Sequence, residues 1–486
     1  MSVPAEPYRP LFHFTARRNW INDPNGLVWF DGEYHLFFQY NPFGSTWGHM
    51  CWGHAVSSDL TTWTELAVAI PEDDRDMIFS GSVVVDHRDT GGFSKGGAPA
   101  LVAVYTGDRQ GEVKHQTQNL AYSHDRGRTW SKYAANPVLD IGQANFRDPK
   151  VFWHAPTARW VMIVALSDQE KISLYASPDL KAWSHLSDFG PAGGVGTLWE
   201  CPDLFALPVE GEPGAEKWML KVDLFKGGIG GGSSAQYFVG DFDGTRFTPD
   251  TDANGADLWD WADHGHDFYA AITWSNLPES DGRRLWIGWM SNHAYAANTP
   301  TSPWRGSMTV ARALGLARRG GTWVLAQNPV ENLRVLRGAA LAATDIARTP
   351  LVFSPDARPV GLEITAVIGL GDAARCGLAL TWSSGDAVLL GLDRARGGVF
   401  VDRARSGLMT GEAGFADPRA ARVADLATRV VNLHVLLDAA SIEVFADDGT
   451  GVITEQIFPR GGLDSVSWFD AGGTGMIKDL AVWPLQ

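Results

Sequence analysis

The sequence predicts an all-β chain, a five-bladed β-propeller followed by a C-terminal β-sandwich. Three observations predict it: polar heads recur on short apolar strands, an Asp-headed turn echoes between them, and strict alternation takes over after about residue 337. The heads come first. Asn22-Asp23-Pro24 precedes Leu27-Val28-Trp29-Phe30, Phe79-Ser80-Gly81-Ser82 precedes Val83-Val84-Val85, and Arg147-Asp148-Pro149 precedes Val151-Phe152-Trp153. Glu200-Cys201-Pro202 then precedes Leu204-Phe205, and Asp267-Phe268-Tyr269 precedes Ala270-Ala271-Ile272. Counted along Asp23, Ser80, Asp148, Glu200 and Tyr269, the gaps are 57, 68, 52 and 69 residues, each enough for a four-stranded sheet with its loops.

In a propeller the innermost strand of every blade lines one channel, so heads far apart in sequence are expected to meet. Three of the five are carboxylates. The first is the most sharply drawn: Pro24 removes a backbone donor and biases Asp23 toward extended geometry, and Asn25-Gly26 is a turn signal, so a carboxylate is presented at a strand's lip.

The echo runs Ser58-Asp59-Leu60-Thr61-Thr62-Trp63, then Ser123 to Trp130 around Asp125, then Ser177-Pro178-Asp179-Leu180-Lys181-Ala182-Trp183, with a looser copy from Gly240 to Phe247 around Asp243. An Asp-headed turn running into an aromatic suits a hairpin, so these acids are turn formers. Beyond Arg337, Leu362, Ile364, Ala366 and Ile368 alternate with Glu363, Thr365 and Val367, a period-2 strand. Further strands are expected at 376–382, 387–392, 431–437, 441–445, 452–458 and 480–483. The propeller is therefore assigned residues 1–337 and the sandwich 338–486, the latter without a catalytic constellation.

The totals agree. A chain of 486 residues exceeds a usual single domain, and 21 Trp with 54 Gly favour a turn-rich β-fold. A formal charge of -16 repels nucleic acid and anionic membranes, leaving a neutral or cationic ligand. No run of 18 apolar residues and no charged-then-apolar leader is seen, which indicates the cytoplasm for the sequence as it stands and secretion if a leader has been removed. Cys51, Cys201 and Cys376 lack paired spacing and read as single buried thiols. His264-Gly265-His266-Asp267 has metal-like residue types, but two His at i, i+2 without further ligands do not make a metal site, and Lys226 to Ser234 is glycine-rich without the ending of a phosphate loop, so it reads as a loop at the channel mouth. Glu72 to Asp76 reads as a solvated acidic loop, Asp203 as structural, and no metal or organic cofactor is expected.

WINDPNG at 20–26, FQYNP at 38–42, WGHA at 52–55, FSGS at 79–82, FRDPKVFW at 146–153, WECPDLF at 199–205, DFYA at 267–270 and SIEVFADDG at 441–449 together resemble glycoside hydrolase family 32. The motifs stand in that family's order over nearly the whole chain. The resemblance implies a propeller plus sandwich and a retaining hydrolase releasing terminal fructose from levan, inulin or sucrose-like substrates; the alternative is a fructosyltransferase using the same acids. It implies Asp23 as nucleophile, Glu200 as acid/base and Asp148 as transition-state stabiliser. It also implies a pocket of Asn22, Gln39, Trp47, Phe79, Ser80, Tyr269 and Trp289, with Arg147 fixing Asp148 or binding substrate.

Retention needs two carboxyl groups about 5–5.5 Å apart. Glu200, between Trp199 and Cys201 and near a second carboxylate, is expected to hold its proton more readily than Asp23 in its asparagine-rich setting. YFVGDFDG at 237–244, RRLWIGWMSN at 283–292 and PTSPWR at 300–305 resemble the levanase and exo-inulinase branch. One departure stands out: after Met290-Ser291-Asn292, where members of that branch tend to carry Trp, this chain has His293.

Overall fold

The computed structural model describes residues 6–111, 113–229, 231–319, 322–341, 346–423, 426 and 429–486. The first five residues and Gly230 of the glycine-rich loop lie outside these. Five antiparallel sheets follow one another along the chain. Their innermost strands are Asn19–Phe30, Met77–Val85, Phe146–His154, Trp199–Pro208 and Tyr269–Thr273, each carrying one of the heads. Consecutive inner strands touch around a ring, and the first also touches the fifth. Closure is made by main chain: Trp29 N–H donates to Ser275 O and Ser275 N–H to Leu27 O, while Trp304–Arg305 pairs parallel with Asn19 and Trp20.

The Asp-headed echoes are turns between the third and fourth strands of the first four blades. Asp59 Oδ1 accepts from the N–H groups of Thr61 and Thr62, Asp125 from Thr129, Asp179 from Lys181 and Ala182, and Asp243 from Thr245 and Arg246, all at 2.7–2.9 Å. A carboxylate that satisfies two successive backbone donors replaces the ladder bonds a tight turn lacks. The acidic loop is less solvated than its composition suggests: Asp76 is buried, held by Arg75 and Arg109.

The C-terminal part is a sandwich of a six-stranded and a five-stranded sheet. Leu362, Ile364, Ala366 and Ile368 of Gly361–Gly369 enter its core, as the alternation requires. Three longer strands escaped the sequence reading: Gly398–Arg405, Arg419–Arg422 and Leu463–Asp470. The last, LDSVSWFD, is half polar and only partly buried, and its apolar residues Leu463, Val466, Trp468 and Phe469 do not alternate, so a period-2 pattern barely marks it.

Propeller and sandwich meet across buried charge. His13 bonds Asp438 and Glu443 at 2.8 Å each; Arg312 reaches Asp263, Glu443 and Thr454; Arg403 reaches Asp267, Glu455 and Tyr295. The His264-Gly265-His266-Asp267 stretch belongs to this seam, with His266 bonded to Glu455. Gly265 is needed there because a Cβ would lie 2.0 Å from Thr454 O.

Candidate active site

The heads converge. Asp23, Ser80, Arg147, Asp148 and Glu200 line one cleft of about 440 Å³, together with Asn22, Gln39, Trp47 and Phe79. What aims them inward is a break in each inner ladder. Pairing slips between Ile21 and Pro24, Ile78 and Gly81, Glu200 and Asp203, and Tyr269 and Ile272, and opposite Asp148-Pro149 in the third blade. A bulge releases residues from the ladder and turns their side chains. In three blades the turn forces a left-handed non-glycine residue, Asp148 (φ 66°), Cys201 (φ 48°) and Ala270 (φ 53°). Such strain persists only where surrounding structure over-determines it.

Asp23 is held on both oxygens. Asn22 Nδ2 donates to Oδ1 at 3.0 Å, and Asn22 is oriented in turn by the Trp20 indole N–H at 2.8 Å; Ser80 Oγ donates to Oδ2 at 2.6 Å. Asp148 accepts the Cys201 N–H at 2.9 Å. The Cys201 thiol lies 3.5 Å from Asp23 and 3.7 Å from Asp148, and burial next to those carboxylates keeps it protonated. Cys201 is a free buried thiol, as its unpaired spacing indicates, and it sits beneath both acids.

Glu200 receives the strongest donors. Arg147 Nε and Nη2 reach Oε1 at 2.9 and 2.8 Å, and the Tyr269 hydroxyl donates to Oε2 at 2.5 Å. Arg147 was expected on Asp148 or the substrate. It comes only within 4.0 Å of Asp148 and otherwise donates to Gln116 and Asn145. Burial pushes Glu200 upward, but the charge of Arg147 and the hydrogen bond from the Tyr269 hydroxyl outweigh it and hold the carboxyl below its usual range. Asp148 goes the other way, pushed up to about 7 by burial and by the charges of Glu200 and Asp23 against Arg147. The carboxyl expected to hold its proton is thus the one held low, because Arg147 and Tyr269 come from other blades.

Trp47, half exposed, stands at the rim with its ring edge-on to Phe79 at 5.9 Å. Tyr269 and Trp289 are fully buried behind the cleft wall rather than on it; Trp289 packs against Tyr269 at 6.4 Å. The sequence reading missed Lys114, Leu198, Phe225, Ala296 and Ala297, which line the cleft from segments between strands and carry no repeating signature. It also missed Asp223, the buried cross-strand partner of Glu200, bonded to Lys221. Asp203 is structural, accepting from Thr273 N–H and Oγ1.

Three carboxyls on a cleft walled by aromatic rings and amides suit a substrate rich in hydroxyls with an acetal bond to break, and such a propeller defines a glycoside hydrolase. Its family follows from comparison. The glycosyl hydrolases family 32 N-terminal domain matches residues 13–329 and the family 32 C-terminal domain residues 335–484, so the chain belongs to that family. It is 44% identical over 489 residues to a levanase of Bacillus subtilis, covering 99% of this chain and 71% of that one. The crystal structure of an exo-inulinase from Aspergillus awamori superimposes with a TM-score of 0.90 at 35% identity, covering 100% of this chain and 99% of the other. A β-fructofuranosidase from Schwanniomyces occidentalis, complexed with fructosyl-erythritol, gives 0.88 at 32% identity and 98% of each chain.

Proposed function

We propose that the chain is a retaining β-fructofuranosidase that removes terminal fructosyl units from fructans such as levan or inulin, or from sucrose. Asp23 attacks the anomeric carbon while Glu200 protonates the departing oxygen. Glu200 then takes a proton from water, which attacks the fructosyl–Asp23 ester and frees fructose and the carboxylate. Asp148 binds fructosyl hydroxyls, in bonds that tighten as positive charge develops on the ring.

The observation that carries this reading is the unequal treatment of the acids. Asp23 is oriented on both oxygens by neutral donors, a setting for an ionised nucleophile, whereas Glu200 is gripped by a cation and a phenol that can follow its changes of protonation. Asp148 and Glu200 feel each other's charge: burial and that charge push Asp148 up to about 7, while Arg147 holds Glu200 below its usual range. The levanase and exo-inulinase names of the relatives support the substrate class. The same reading makes 1–337 the catalytic propeller and 338–486 a supporting sandwich.

The test is Asp23→Asn with sucrose, inulin and levan, resolving products by chain length. Wild type should release free fructose with retained configuration, and the variant should lose at least a thousandfold in kcat, on the order of a missing nucleophile. Inverted product, or near-normal turnover by the variant, refutes the assignment; fructose appearing mainly on sugar acceptors indicates the transferase.

A further inference from the structure

Of the chain's 13 histidines, His293 is the one lining the cleft. It follows the strand Arg284–Trp289, and its ring is fixed by packing on three aromatic neighbours. It lies tilted against Phe225 at 4.6 Å, edge-on to Tyr269 at 4.9 Å and against Trp289 at 5.1 Å. Its backbone N–H is anchored on Ser233 Oγ. Its ring nitrogens make no hydrogen bond among the described residues. Several buried imidazoles are engaged through at least one nitrogen: His13 bonds Asp438 and Glu443, His35 bonds His54, and His266 bonds Glu455; His264, whose Nδ1 is buried without a partner, lies at the seam with the sandwich and not in the cleft.

An imidazole clamped by its faces, with unengaged nitrogens in a cleft built for hydroxyl-bearing substrates, is a recognition group awaiting a partner. Its location says which part of the substrate. Tyr269, against which the ring packs, is the residue whose hydroxyl holds Glu200, so His293 shares a wall with Glu200. Under the reading above, on which this inference rests, that is the side where the leaving group departs. Burial lowers the imidazole's pKa, against the pull of Glu200 and Asp23, which favours the neutral ring with one donor and one acceptor. A neutral ring of that kind can give to one hydroxyl and take from another.

We propose that His293 is a specificity-determining residue whose ring nitrogens hydrogen-bond hydroxyls of the sugar that leaves with the proton of Glu200. A leaving group without hydroxyls gains nothing from it.

The test compares sucrose with methyl β-D-fructofuranoside, whose leaving group is methanol, in wild type, His293→Phe and His293→Gln. Phenylalanine keeps a stacking ring and removes both nitrogens; glutamine keeps a donor and an acceptor. The ratio of kcat/KM for sucrose over the methyl fructoside should fall about tenfold in His293→Phe, the size of one or two neutral hydrogen bonds. His293→Gln should recover a good part of that ratio. A ratio in His293→Phe within twofold of wild type, whatever the absolute rates, overturns the inference and leaves the hydrolase reading standing. If wild type cleaves inulin or levan but not sucrose, a fructan trisaccharide replaces sucrose in the ratio; a wild type that releases fructose from none of these refutes the hydrolase reading, and this inference with it.

Discussion

His13 is a sharp test of how the two parts of the molecule hold together. Its imidazole is fully buried between Asp438 and Glu443, with an ion-pair distance of 2.8 Å to each. Burial alone would lower its pKa, but the two carboxylates reverse this and raise it from 6.5 to about 9. A pKa raised in the folded state is stability that is fully present below 6.5 and lost as pH climbs through about 9. By linkage the difference is worth about 3 kcal/mol.

His13→Gln removes the titrating group and leaves two buried carboxylates sharing one amide. Asp438 keeps the N–H groups of Leu11 and Ala439, and Glu443 keeps Arg312 and Val310 N–H, so each anion retains partners. Breaking such a buried arrangement costs about 3–5 kcal/mol at pH 6. Urea unfolding, followed by tryptophan fluorescence at pH 6, 8 and 10, measures both numbers. Between pH 6 and 10 wild type should lose about 3 kcal/mol more than the variant, more than half of it by pH 8. If the curves fall in parallel over that range, His13 is not the charged clamp its geometry indicates.

Two further predictions concern the cleft. Asp148→Asn should lower kcat by about two to three powers of ten while KM moves little, because the bonds proposed for it to the fructosyl ring would matter most as charge develops; a change confined to KM would remove that role. Arg147→Gln takes away the cation that outweighs burial at Glu200, so the Glu200 pKa should rise. In wild type the alkaline limb of kcat/KM reports loss of a proton from this coupled site, in which Asp148 is pushed up to about 7. In the variant this alkaline limb of the kcat/KM profile should move to higher pH, and an unmoved limb would show that Arg147 does not set it.

Much of the fold was legible because its signals are local. A head of Asp-Pro or Cys-Pro on an apolar run marks where an inner strand starts, and the Asp-headed echoes mark hairpin turns whose hydrogen bonds span only two to four residues. Trp304–Arg305 gave no such signal. Its pairing with Asn19 and Trp20 exists only because the ring of blades closes. The strand Leu463–Asp470, half polar and without alternation, went unseen because its place in the sandwich rests on neighbours, with Arg375–Trp382 on one side and Leu351–Val352 on the other, more than on its own pattern.

The cleft divides the same way. That Asp23, Ser80, Asp148, Glu200 and Tyr269 head five equivalent strands follows from spacing alone, and so does the expectation that they meet, since every blade presents its inner strand to one axis. The protonation of those groups does not follow. Arg147 is adjacent to Asp148 in sequence yet bonds Glu200, 53 residues away, and Tyr269 bonds Glu200 across 69. Residue types and periodicity are carried along the chain and determine the strand heads. A pKa depends on distances of a few ångströms and on exclusion of water, and these arise only when one blade docks against the next.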